Sequence, residues 1–215
     1  QMRQAEISSG KRLLDVLDIH WYPEARGDNR ITETNANTNA DKLARVQAPR
    51  TLWDSSYQEN SWIGQWFGAY LPLIPRLKSS IDEFYPGTKL AFTEFSYGGE
   101  NDITGAIAMA DVLGIFGKYD VYLGTYWQLD SPSNYISAAD KMYRNCDGNN
   151  STFGNYSLSS VTSDSVSTSV YSSLNETGNE IHLIVINKKL NESISSNFSI
   201  SSQHNIQSGS VWKLD

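Results

Sequence analysis

Several absences narrow the possibilities for this 215-residue chain before any motif is considered. Cys146 is the only cysteine, so neither an intrachain disulfide nor a cysteine-based metal cluster can form. The three histidines, His20, His182 and His204, are too scattered to suggest a zinc site. No run of about 18 apolar residues occurs, so the sequence offers no transmembrane helix. There is no basic run and the net charge is −7, whereas nucleic acid needs a positive footprint. No glycine-rich phosphate loop opens a helix, which counts against a flavodoxin-like binding domain. A signal peptide is missing too, and the first residue is Gln1 rather than Met. The expectation is a chain that lacks its true beginning.

What is present fits a soluble globular protein with a real core, 39% hydrophobic and 19% charged. Aromatic residues make up 12%, including six Trp and twelve Tyr, which suits a surface that stacks on something flat. Residues 2–12 read as a polar helix ending near Gly10. Leu13 to His20 then alternates as a strand, with Leu14, Val16 and Asp18 sharing a face, and closes in His20-Trp21-Tyr22-Pro23. Residues 24–60 read as a long polar loop without a core pattern, and loops of that length are usually functional. Trp62, Trp66, Phe67 and Tyr70 follow, and Leu73 to Phe84 has helical spacing.

The central stretch is Lys89-Leu-Ala-Phe-Thr-Glu-Phe-Ser-Tyr-Gly-Gly99: an apolar strand ending in one carboxylate, Glu94, and a Gly-Gly turn. A carboxylate at the tip of a buried strand is costly to desolvate unless it is used or paired. Both alternatives, a catalytic group and a salt-bridged strand end, stand at this point. Thr104–Tyr119 reads as a helix, Val121–Trp127 as a third strand leading into 128–132, and about Ser137–Asn145 as a last helix. The order β-loop-α-β-α-β-α implies parallel strands with right-handed crossovers. All three strands deliver unusual residues at their carboxyl ends: His20-Trp21-Tyr22, Glu94 with Tyr97, and Tyr126-Trp127. In α/β folds that is the end where sites assemble.

From about Asn149 helical periodicity disappears, and eighteen of the remaining residues are serine. Val166–Leu174, Glu180–Asn187, Asn197–Ser201 and Val211–Leu214 read as short strands of part of a β-sandwich. Six N-glycosylation sequons, at Asn149, Asn150, Asn155, Asn175, Asn191 and Asn197, lie in this region.

A carboxylate ringed by Trp and Tyr at the mouth of a βα unit suits cleavage of a sugar polymer. Glycoside hydrolysis uses two carboxyl groups, and aromatic faces stack on pyranose rings. Trp62 and Trp66 stand one helical turn apart and can point to one side, although a core aromatic stripe has the same spacing.

Leu14-Asp-Val-Leu-Asp-Ile-His-Trp-Tyr-Pro23, Pro49-Arg-Thr-Leu-Trp-Asp54, Ser61-Trp-Ile63, Ile74-Pro-Arg-Leu-Lys78, Tyr85-Pro-Gly-Thr-Lys-Leu-Ala91 with Thr93-Glu94, and Ala110-Asp-Val-Leu-Gly-Ile-Phe116 together resemble glycoside hydrolase family 44. So do Met142-Tyr-Arg-Asn145, Asp147-Gly148 and Phe153-Gly154. The resemblance implies a retaining endo-β-1,4-glucanase acting on xyloglucan and soluble cellulose derivatives. It implies α/β plus all-β architecture: residues 1–148 as the C-terminal part of a TIM-like (β/α)8 barrel, about strands 6–8, and 149–215 as an incomplete β-sandwich. Glu94 would match the nucleophile, and Trp62, Trp66 and Trp127 aromatics of the glucan cleft. His20 and Tyr22 would bind sugar or orient the nucleophile, and Tyr97 would line the site. The resemblance implies a secreted protein whose partner is a β-1,4-glucan, with no nucleic acid and no membrane. It requires no cofactor for catalysis, and any structural calcium is left without assigned ligands. One departure stands out: the family's acid/base lies in an Asn-Glu-Pro segment, and this chain has none. Glu24 and Glu100 are the remaining candidates for a second carboxylate, although neither occupies the matching place. The missing N-terminal half of the domain would supply that group. A non-catalytic β-glucan-binding protein using the same aromatics is the alternative.

Overall fold

A computed structural model describes residues 1–127, 134–202 and 205–214. The expected segment 128–132 after the third strand lies outside these residues, as does His204. Among the described residues, two three-stranded sheets organise the chain. The first comprises β1 (Val16–Trp21), β2 (Lys89–Phe95) and β3 (Leu123–Tyr126), all parallel, in the order β1-β2-β3. The second comprises β4 (Tyr156–Leu158), β5 (Thr168–Leu174) and β6 (Ile181–Asn187), paired antiparallel in sequence order. Parallel neighbours need long crossovers, and those here contain helices, as the β/α alternation of the sequence predicts.

The helices are α1 (Met2–Ser9), α2 (Asn39–Gln47), α3 (Trp62–Trp66), α4 (Leu73–Phe84), α5 (Ile103–Lys118) and α6 (Tyr135–Arg144). Helix α1 ends in a left-handed Gly10, as the sequence indicates. The expected structureless loop 24–60 is corrected: it contains α2 and a 3-10 turn, Ala48–Leu52. Thr38 and Asp41 form a reciprocal capping box that starts α2. The buried stripe of that helix is Asp41, Arg45 and Val46, so two of its three members are charged. A pattern search for apolar residues at helical spacing does not register such a stripe.

Both charges are hydrogen-bonded, although Arg45 Nε is buried without a partner among the described residues. Asp41 accepts from the Asn29 backbone N–H at 2.7 Å and from Asn29 Nδ2 at 3.0 Å. Burial pushes its carboxyl pKa up, but these bonds and those from Thr38 outweigh burial and hold it at about 2. Arg45 donates to Thr104 Oγ1 at 2.9 Å, to the Ile31 carbonyl at 2.9 Å and to the Ala36 carbonyl at 2.5 Å. It also lies under the turn that follows β2. Gly99 has φ +77, and a Cβ there would stand 2.9 Å from the Arg45 side chain. Only glycine suits both demands.

Helix α5 is the centre of the molecule. Phe116 stacks on Phe92 at 4.9 Å between ring centroids and meets Phe95 edge-on at 5.2 Å, so one side of α5 covers the parallel sheet. The opposite side receives β5. At Gly114 an added Cβ would fall 2.2 Å from the Tyr171 ring, so the ring takes the place of a side chain. The Tyr171 hydroxyl donates to Asp111 Oδ1 at 2.5 Å, one turn earlier on the helix. Lys188, just past β6, buries its ammonium 3.5 Å from Asp111 Oδ2 and donates to the Ser165 carbonyl at 2.8 Å and Ser169 Oγ at 3.0 Å. At that distance its contact with Asp111 is electrostatic rather than a hydrogen bond.

Of the four strands expected beyond Asn149, β5 and β6 form. Asn197–Ser201 and Val211–Leu214 are irregular, and the short β4 takes a place that the sequence does not announce. Strand propensity needs a neighbour with free ladder groups, and β4 finds one on β5. Val211, 94% exposed, has found no such cover.

Candidate active site

The carboxyl end of the parallel sheet is assembled by register. His20 on β1 pairs with Glu94 on β2, Trp21 with Phe95, and Phe95 with Tyr126 on β3. Glu94 Oε2 accepts a hydrogen bond from the Tyr22 hydroxyl at 2.9 Å and lies 3.3 Å from His20 Nδ1. Among the described residues no donor reaches Oε1. The Glu94 side chain is 31% exposed, so the carboxylate is anchored by one oxygen and open to solvent through the rest. Burial, and then the Glu94 carboxylate, raise the Tyr22 hydroxyl pKa to about 12, so the phenol stays a donor across neutral pH. His20 and Tyr22, expected to touch either sugar or the nucleophile, therefore both touch the carboxylate.

The other expected site residues separate into three groups. Trp127 follows β3, holds its backbone N–H on the Phe95 carbonyl at 2.9 Å, and leaves its ring exposed. Trp62 and Trp66 lie on one side of α3 with ring centroids 6.5 Å apart, and Phe67 meets Trp62 edge-on at 5.7 Å. Trp66 is 74% exposed, so this pair is a surface platform and not a core stripe. Ser61 caps α3 by accepting from the Gly64 N–H at 3.0 Å, which fixes the platform's base. Tyr97 is a correction. It is 1% exposed and part of the hydrophobic core, so it does not line an open cleft. The chain turns at Gly98, φ +67, immediately after it.

Neither weaker candidate for the second carboxylate joins Glu94. Glu24 is paired with Arg30 at 2.7 Å. Glu100 accepts from the Tyr126 hydroxyl at 3.2 Å. Sequence reasoning did not find Glu59, a buried carboxylate that accepts from Ser61 Oγ at 2.6 Å and Thr51 Oγ1 at 3.0 Å. It also gave no site role to Asp18, which sits beside the active strand; a charged residue two places before His20 in an apolar strand was the available signal. Among the described residues, no group of three or more His, Cys, Asp or Glu side chains is placed to hold a metal.

Chemically, a half-exposed carboxylate with one oxygen held and the other free can attack an electrophilic carbon, while the tyrosine and histidine fix its orientation. Comparison with known proteins points to one family. The profile of glycoside hydrolase family 44 matches residues 1–25. Endoglucanase A of Paenibacillus lautus is 55% identical over the whole of this chain, which covers 31% of that protein. A Paenibacillus polymyxa xyloglucanase of the same family, solved with xyloglucan, is 58% identical, with a TM-score of 0.82 over 86% of this chain and 37% of its own. A family 44 endoglucanase from Clostridium thermocellum is 52% identical, with a TM-score of 0.83 over the same shares. The chain thus spans about a third of the length of these relatives. With a matching profile over its first 25 residues and such identity along its length, the chain is similar to members of glycoside hydrolase family 44.

Proposed function

We propose that this chain carries the nucleophile half of a retaining, endo-acting glycoside hydrolase that cleaves β-1,4-glucans, soluble cellulose derivatives and xyloglucan among them. The observation that carries the reading is the convergence of Tyr22 and His20 on one oxygen of Glu94 at the carboxyl end of a parallel sheet. Glu94 Oε1 attacks the anomeric carbon as the bond from that carbon to the leaving oxygen breaks. An acid outside this chain protonates the leaving oxygen. Its conjugate base then takes a proton from water, which attacks the anomeric carbon and releases Glu94. The Tyr22 hydroxyl and His20 keep Oε2 in place through both steps.

In this reading β1–β3 are three strands of a (β/α)8 barrel, about strands 6–8. Residues 149–215 are part of a β-sandwich packed on its outer helix. The remaining strands and the acid/base are supplied from outside this chain, and the protein works outside the cell. The exposed Trp62–Trp66 platform and Trp127 bind the glucan chain by stacking.

Product stereochemistry tests the mechanism. Proton NMR of a digest of a soluble glucan by the full-length enzyme should show the β-anomer of the new reducing end first, with the α-anomer appearing only by mutarotation. The α-anomer as first product would exclude a covalent Glu94 intermediate. A second test concerns the platform. Trp66→Ala in the full-length enzyme should weaken retention in xyloglucan-containing native gels about tenfold, equal to about 1.4 kcal/mol, with the fold intact. Unchanged retention would remove Trp66 from the binding surface. The alternative of a non-catalytic glucan-binding protein draws on the same platform, and it predicts binding with no reducing ends released.

A further inference from the structure

Glu94 stands where β2 departs from regular pairing. Ile19 pairs with Phe92 and His20 with Glu94, so β2 advances two residues while β1 advances one. On the other side Phe92 pairs with Gly124 and Phe95 with Tyr126, so β2 advances three residues while β3 advances two. Both neighbours record the same extra residue, a β-bulge at Thr93.

The bulge decides which way Glu94 faces. Asp18 and His20 are two apart on β1 and emerge on one face of the sheet. Thr93 meets Asp18 and Glu94 meets His20, so two consecutive residues of β2 point to that same face. Phe92 and Phe95, three apart, both pack on Phe116 at the opposite face. In a regular strand, with Phe92 directed at α5, Thr93 would point away and Glu94 would point back at the helix. The extra residue turns the carboxylate out.

A bulged residue loses its ladder partners and needs others. The Thr93 N–H donates to Asp18 Oδ1 at 3.0 Å, and the Thr93 hydroxyl donates to Asp18 Oδ2 at 2.5 Å. The Thr93 carbonyl accepts from Thr125 Oγ1 on β3. An ionised carboxylate has two acceptor oxygens, and Asp18 gives one to each donor of Thr93. We propose that Asp18 is a positioning residue, a clamp that holds the Thr93 bulge and thereby keeps Glu94 on the substrate-facing side of the sheet. This inference rests on the reading of Glu94 as nucleophile.

The test uses the full-length enzyme with Asp18→Ala, Asp18→Asn and Thr93→Val. A misplacement of about 1 Å can cost about 100-fold in rate, so Asp18→Ala should lower kcat by about that factor with KM changed less than about threefold. Asp18→Asn retains an oxygen for the Thr93 N–H and offers its amide to the hydroxyl, so kcat should recover to within about fivefold of the parent. Covalent labelling by a 2-deoxy-2-fluoro-β-cellobioside, located by mass spectrometry, should mark Glu94 and slow in parallel with kcat. Labelling at Glu94 with an unaltered rate in Asp18→Ala overturns the clamp alone. Equal damage from Asn and Ala overturns it as well, because the charge would then matter rather than the geometry. Labelling elsewhere in the parent enzyme overturns the nucleophile reading and the clamp with it. If Asp18→Ala does not fold, Thr93→Val decides: a kcat loss of about tenfold supports the clamp, and an unchanged kcat rejects it.

Discussion

Glu94→Gln in the full-length enzyme should reduce hydrolysis of soluble β-glucan by at least about a thousandfold while glucan retention persists. The amide keeps the side chain's size and can still accept from Tyr22. What it loses is the negative oxygen that forms the bond to the anomeric carbon, the step on which double displacement depends. Because Tyr22 and His20 both engage Oε2, the variant should keep its fold and its affinity. Measured kcat within about tenfold of the parent would end the nucleophile assignment. Loss of both binding and fold would instead mark Glu94 as structural, and circular dichroism alongside gel retention separates these outcomes.

The second large effect is far from the sugar. Lys188→Met should destabilise the full-length enzyme by about 3–5 kcal/mol, the usual cost of leaving one member of a buried ion pair alone. Asp111 and Lys188 are both buried, so the variant leaves the Asp111 carboxylate buried without its counter-charge. Adding Asp111→Asn should restore part of that loss, since the amide oxygen still accepts from Tyr171 and no lone charge remains. Chemical denaturation followed by fluorescence, with limited proteolysis of the serine-rich region, would measure both. A single-variant loss under about 1 kcal/mol would show that the pair does not hold the two sheets together.

The alternation of strands and helices, the parallel arrangement and the placing of Glu94 at the carboxyl end of a strand were all legible in the sequence. They depend on local pattern: apolar runs of strand length, helical spacing at Leu73–Phe84 and Ile103–Lys118, and polar residues gathered at three strand ends. What escaped depends on partners distant in the chain. Helix α2 was hidden because Asp41 and Arg45 occupy its buried stripe, although Thr38 and Asp41 carry a capping signal. The burial of Tyr97 follows from its packing in the core cluster, among residues distant in the chain, and not from its neighbours in sequence. Lys188, beside the exposed Lys189, looks like a surface residue until β5 and β6 dock on α5. The bulge at Thr93 is a matter of register against two other strands, which no single segment encodes.

Gly114 has a wider consequence. With the Tyr171 ring lodged against its backbone on one side, and Phe116 of the same helix on Phe92 and Phe95 on the other, α5 is a rigid spacer between the serine-rich strands and the strand bearing the carboxylate. A change that unseats the tyrosine at the back of α5 therefore reaches, through Phe116, the strand that bears Glu94 at the front.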